Sequence, residues 1–264
     1  MKKLHRITEA EVIAEFLKGE FFHLEYDADR EQFARIVNHP DLTDEAENGL
    51  RRALLFRRRD TMWWELPEDR QWWEVEFDPA DVERVSVFPR AHWRKLADGN
   101  FQALHVAERV LLRMDTDQPD EFTTKMTELC SSMQGSSMQG SSMHGFGRQS
   151  GAQRGLIIFL GVDEHGPVTL LEGNHRFIAA LLAPKSDLLA GARLIGVFSP
   201  NMEKCCWYKT NVQTLFRCLK NRIQHYWDRD PDVARLLEQA APSRTVAGYG
   251  DSARGIKSHP IKSK

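Results

Sequence analysis

The sequence predicts an α/β (α+β) fold with helical regions on either side of a strand-rich core. Three observations carry that expectation. Apolar residues recur at helical intervals through the first 60 or so positions, short β-branched runs bounded by turn residues follow from Gly155, and one of those runs passes through a glycine directly into a helix. At 264 residues, 41% hydrophobic and 28% charged, the chain has the ordinary composition of a globular protein with one large core or two small ones.

The N-terminal part, residues 1–130, reads as helical and Trp-rich. Thr8 and Glu11 have the spacing of a capping box, and Val12, Ile13, Phe16 and Leu17 form an apolar stripe that Gly19 ends. A second helix is expected over Arg30 to Asn38 and a third from Asp44 to Arg59, with Leu50, Leu54 and Leu55 on one face. Arg51, Arg52, Arg57, Arg58 and Arg59 gather at its end, either as a solvated face favourable to the helix dipole or as a docking patch for an acidic partner. Two tryptophan pairs follow, Trp63-Trp64 and Trp72-Trp73. In a strand, neighbours point to opposite faces, so one of each pair lies outside the main core unless a second layer covers it. Asp78-Pro79 starts a helical turn, Arg84 to Phe88 reads as a strand, and helices are expected at Ala91 to Ala97 and Ala103 to Met114.

Residues 131–151 change character. Ser-Ser-Met-Gln-Gly stands twice in tandem from Ser131 and Ser136, and Ser-Ser-Met-His-Gly follows from Ser141, which predicts a flexible loop, with closure over a ligand as its functional version. Residues 152–242 then read as the core with C-terminal helices. Strands are expected at Gly155 to Gly161, Val168 to Leu171 and Ala192 to Phe198, and helices at Asn174 to Ala183, Val212 to Tyr226 and Pro231 to Ala240. Residues 243–264 read as a disordered tail that ends in a basic stretch.

Charge and cysteine usage narrow the function classes. A formal net charge of −2 provides no overall attraction for nucleic acid. The four cysteines, Cys130, Cys205, Cys206 and Cys218, include no CxxC pair, so neither a disulfide framework nor a zinc site is expected. No run reaches the roughly 18 apolar residues of a membrane span, and Met1-Lys2-Lys3 leads into an acidic amphipathic segment rather than a signal peptide. A cytoplasmic protein is the expectation.

The chemistry is expected at Leu171-Glu172-Gly173-Asn174-His175-Arg176. A helix N-terminus presents unpaired N–H groups and the positive end of the dipole, and here an imidazole and a guanidinium share the first turn. Gly173 permits close approach to a phosphate, Asn174 suits an N-cap, and Arg176 offers a fork of donors, or else pairs with Glu172. His175 can donate to a phosphoryl oxygen, move a proton near neutral pH, or fix the turn through backbone. Glu172 can hold Mg²⁺ or accept a hydroxyl proton, or serve the strand end alone. Lys185 and Arg148 are reserve phosphate contacts.

Over Gly155 to Phe198, and most closely over Gly173-Asn174-His175-Arg176, the chain resembles the ParB/sulfiredoxin superfamily, whose members place Gly-x-His-Arg or Gly-Glu-Arg-Arg between a strand and a helix. The resemblance implies a ParB/sulfiredoxin-like core in which Gly173, Asn174, His175 and Arg176 cradle nucleotide phosphates; Glu172 and His175 are the candidate catalytic residues on the strength of their own chemistry. Different branches clamp DNA, reduce oxidised cysteine or phosphorylate free serine. Sulfiredoxins carry their reactive cysteine where this chain has Asn174. The serine kinases resemble Asp-Gly-His-His-Arg, of which Glu172 keeps the carboxylate and Asn174 replaces the first histidine. ParB adds a helix-turn-helix region that has no equivalent here. The expected function is binding of a nucleotide or other phosphorylated small molecule, with Mg²⁺-dependent phosphoryl transfer or hydrolysis. The alternative is a non-catalytic module that engages a protein or nucleic-acid partner through its Trp-rich and Arg-rich surfaces.

Overall fold

A computed structural model describes residues 1–115, 120–134, 155–183, 189, 191–227, 233 and 236. Strand β1 (Lys2–Ile7) leads into α1 (Glu9–Glu20), α2 (Asp27–Asn38) and α3 (Glu45–Trp64). Next come β2 (Gln71–Glu76), β3 (Val85–Ser86), α4 (Ala91–Ala97), α5 (Ala103–Met114) and α6 (Glu121–Gln134). The last elements are β4 (Leu156–Gly161), β5 (Val168–Glu172), α7 (Asn174–Leu182), β6 (Arg193–Phe198) and α8 (Val212–Trp227).

All six strands belong to one mixed sheet in the order β1-β2-β6-β4-β5-β3. β6 pairs antiparallel with β2 and parallel with β4, while β5 pairs antiparallel with β4 and parallel with β3. The sheet is therefore built from both sides of the 131–151 segment, and that segment does not divide it. Helices cover both faces. Val12, Phe16, Leu54, Leu55, Trp63 and Trp72 join Ile158, Leu160, Ile195 and Val197 in one core layer. Val75, Trp93, Val106, Val110, Phe177 and Ile178 join Ile157, Phe159, Val168 and Leu170 in the other. Successive β4 residues alternate between two apolar layers, which is why that strand is buried along its whole length.

Several local expectations hold. The Thr8/Glu11 capping box forms, and Asp44 caps α3 by accepting from the Ala46 and Glu47 amides. Trp72 and Trp73 do face opposite layers of β2, and both layers are covered. Four readings change.

Residues 1–60 are not wholly helical, because Lys2–Ile7 forms an edge strand whose charged side chains lie mostly in solvent and give no apolar alternation. The third helix kinks at Arg59 (φ −129°, ψ 20°) and runs on to Trp64, so Trp63-Trp64 is helical and Trp63 packs inward, stacked on Trp72 at 5.6 Å. A helix the sequence reading did not anticipate, α6, takes in Ser131 to Gln134, so the first repeat is not a loop throughout. The arginine cluster, finally, is divided: Arg52 and Arg57 are exposed, whereas Arg51 is drawn into the core. Arg51 is fully buried, donating to the Ile36 and Asp41 carbonyls and to Glu47, while Arg57 pairs with Asp29 and Arg59 with Glu20 and Glu25.

The remaining repeats, Arg148, Lys185 and the 243–264 tail lie outside the described residues. Of the expected helix from Pro231 to Ala240, Val233 and Leu236 are described and both are helical. No helix among the described residues is long and apolar enough to cross a membrane.

Candidate functional site

The Gly-x-His-Arg segment lies where β5 becomes α7, at one end of the sheet. Gly173 occupies the left-handed region (φ 82°), and a Cβ there would meet Ile157 Cγ1 at 2.7 Å and the Leu156 carbonyl oxygen at 2.8 Å. Glycine alone satisfies both the backbone angle and the approach to β4. Gly173 is the N-cap, and the Asn174 side chain is spent elsewhere: its Oδ1 accepts from the Phe88 amide at 2.8 Å in a buried bond. The sequence reading made Asn174 the cap. In the structure it tethers the chain after β3 to the first turn of α7.

Glu172 is aimed by a bulge. Phe159 pairs with Leu170 but Ile158 pairs with Glu172, so Leu171 is an extra residue on β5. Regular alternation would turn Glu172 toward the layer that holds Val168 and Leu170. The inserted residue brings it instead to the side of Ile158, facing α1. Its Oε1 accepts from the Gly173 amide at 2.8 Å. Burial pushes its pKa up, and Glu20 on the facing wall adds to the shift, while Arg176 and Arg90 act in the opposite sense.

His175 stands on the other side of the junction, with its ring 4.9 Å from Trp93 and 5.7 Å from Phe122. Burial, followed by the charges of Lys125, His92 and Arg176, depresses its pKa to about 4. That shift holds the imidazole in its neutral form at pH 7. Arg176 reaches back along β4 and donates from Nη1 to the Leu156 carbonyl at 3.3 Å, passing so close to Gly155 that a Cβ there would meet its Cδ at 2.6 Å. The alternative pairing of Arg176 with Glu172 is not formed within salt-bridge distance; the two interact only through space.

Glu172, Gly173, His175 and Arg176 share a cleft of about 130 Å³ with Phe16, Gly19, Glu20 and His23 of the α1 end and with Lys125 and Leu129 of α6. That is smaller than the roughly 300–1,000 Å³ of a site enclosing a drug-sized molecule. Neither Arg176 nor Lys125 has a carboxylate within salt-bridge distance among the described residues, whereas Glu20 is held by Arg59 at 2.8 Å. The α7 amides of Asn174, His175 and Arg176 precede the first intrahelical donor, Phe177, which bonds the Gly173 carbonyl. Two cations and a helix N-terminus thus converge beside one basic carboxylate.

A larger groove of about 620 Å³ lies between the chain after β6 and α8. Of its charged groups, Lys209 pairs with Glu203 and Lys204 bonds Asn201, while Arg217 is exposed and acts on Glu65 only through space. Sequence reasoning missed Lys125 because it missed α6, although Phe122, Met126 and Cys130 repeat at four-residue intervals and are buried on one side of that helix. It also missed a buried group of Glu65, Cys206 and Cys218, whose members come from distant parts of the chain. No family model, curated protein or solved structure matches the chain.

Proposed function

We propose that the chain binds a nucleotide or another phosphorylated small molecule, with its phosphoryl group at the N-terminus of α7. The observation that carries this reading is the convergence of Arg176 and Lys125, both without a carboxylate partner among the described residues, on the amides that open the helix. The placement of Gly173-Asn174-His175-Arg176 at a strand-to-helix junction supports the ParB/sulfiredoxin-like reading of the core. The cleft has room for a phosphoryl headgroup, and the rest of the ligand would extend beyond it.

Each residue then has a task. Arg176 and the α7 amides hold phosphoryl oxygens, and Lys125 adds a point charge from the facing helix. Glu172, half-buried and so a stronger base than an ordinary glutamate because desolvation penalises its charged form, takes the proton of an attacking hydroxyl or water. Neutral His175, fixed by Trp93 and Phe122, offers one nitrogen as donor and one as acceptor without adding charge. Glu172 and Glu20 are the kind of hard oxygen ligands Mg²⁺ takes alongside substrate phosphates. Bound there, the ion would neutralise phosphate charge.

Calorimetry against a nucleotide panel, with and without Mg²⁺, tests the proposal. Arg176→Ala should weaken binding by about 1.5–3 kcal/mol, the worth of a charge-assisted hydrogen bond, while thermal unfolding stays close to wild type. Glu172→Gln should keep most of the affinity and lower phosphate release or transfer by roughly a hundredfold. Absence of binding across the panel would defeat the reading. Binding with no turnover would leave a phosphate-binding module and remove the catalytic part. The alternative built on Trp-rich and Arg-rich surfaces has less to stand on, since Trp63, Trp72 and Arg51 are buried and Arg57 and Arg59 are ion-paired with Asp29 and Glu20, which leaves Arg52 as its exposed arginine without a carboxylate partner among the described residues.

A further inference from the structure

We propose that Glu65, Cys206 and Cys218 bind a thiophilic divalent cation, Zn²⁺ foremost, which fastens α8 to the body of the protein. Glu65 is the C-terminal cap of α3, Cys206 lies in the chain after β6, and Cys218 is on α8. One ligand atom from each lies within 4.8 Å of the other two. Zinc–sulfur bonds of about 2.3 Å set tetrahedral sulfurs about 3.8 Å apart, so a single ion needs only a small contraction of this group, with a water as its fourth ligand. All three side chains are buried.

The surroundings suit an ion. Glu65 is a buried carboxylate with no Lys, Arg or His within salt-bridge distance among the described residues; its Oε2 accepts from Asn221 Nδ2 at 3.3 Å, which orients the carboxylate, and its other close partner is the Cys218 thiol, whose proton a metal would replace. Two thiolates and a carboxylate around Zn²⁺ carry one surplus negative charge. Arg217 and Arg222 of α8 are close enough to act on Glu65 through space and offset it. Thiolates also select zinc over Mg²⁺, so this site and the phosphate cleft would not compete for an ion.

The fold has a use for the clip. Val212, Leu215, Phe216, Leu219 and Ile223 on the outer side of α8 are exposed, so their burial does not hold the helix. At its start, Thr214 bonds only the adjacent Lys209 and Asn211. Glu65, Cys206 and Cys218 meet at the side of α8 that turns inward, where one ion would join α3, the segment after β6 and α8. A metal-ligand set of this kind contributes folding free energy directly.

The test uses the full chain, purified without chelator and kept reduced. Elemental analysis should find one zinc per chain, and replacement by Co²⁺ should produce the thiolate-to-cobalt charge-transfer band and the visible bands of a tetrahedral site. Cys206→Ser and Cys218→Ser should abolish these bands, and Glu65→Gln should weaken cobalt binding at least tenfold. Cys130→Ala, on α6, should leave them intact. Metal should also slow proteolysis within α8 in the wild type and have no such effect in Cys218→Ser. A reduced chain with no cobalt–thiolate band overturns the site, as does a band that survives in both cysteine variants or in full strength in Glu65→Gln. Should a cysteine variant fail to fold, the conservative Glu65→Gln still decides.

Discussion

At the scale of single residues, the cleft depends on two ionisable groups displaced in opposite directions. His175 has its pKa depressed from 6.5 to about 4, so between those values the unfolded chain takes up a proton that the fold refuses. Stability should therefore be fully present above about pH 6.5 and decline as the pH falls toward 4, by up to on the order of 3 kcal/mol. Glu172, with its pKa raised above 4.5, works the other way: its contribution is present below the unfolded value and is lost as pH rises through the folded one. Urea unfolding from pH 4.5 to 7 should show the histidine's share as a slope that His175→Gln flattens. An equal slope in that variant would mean that the ring is not held neutral against Trp93 and Phe122.

At the scale of the element, the junction of β5 and α7 is a single device made of a bulge and a glycine. The bulge at Leu171 turns Glu172 toward α1, and Gly173 then reverses the backbone against β4 so that α7 starts with its amides at the cleft. Gly173→Ala would impose a left-handed conformation on a residue with a Cβ, at about 1–2 kcal/mol, and push that Cβ into Leu156 and Ile157 backbone and side chain as well. We expect a total loss of about 2–4 kcal/mol in denaturant unfolding, together with loss of phosphate affinity, because β4 and α7 must separate. A variant as stable as wild type would show that the junction relaxes freely.

The whole molecule is knit around β6. That strand follows every other strand in the chain and still lies third in the sheet, between β2 and β4. Residues 152–264 alone would keep β4, β5 and β6 but lose β2 from one side, β3 from the other, and α1 to α6 from both faces. An isolated 152–264 fragment should therefore show no cooperative unfolding transition and a poorly dispersed amide spectrum, whereas the full chain should unfold in one step. A folded fragment would make the C-terminal part an autonomous domain.

Local chemistry made much of this readable beforehand. Thr8/Glu11 and Asp44 mark helix starts by satisfying free amides, the β-branched run at β4 announces a strand covered on both faces, and Gly173-Asn174-His175-Arg176 marks a strand-to-helix turn. These are properties of a few neighbouring residues, so the sequence by itself determined them. Strand β1 stayed hidden because, among the described residues, it pairs with β2 alone and most of its side chains before Ile7 face water. The aim of Glu172 also depended on tertiary structure, because the bulge that sets it exists only once β4 and β5 are paired. Lys125 reaches the cleft only when α6 packs beside α7, and Glu65, Cys206 and Cys218 converge only when α3, the chain after β6 and α8 meet. Nearest-neighbour preferences carry no information about such meetings, which are decided by long-range burial on the two faces of one sheet.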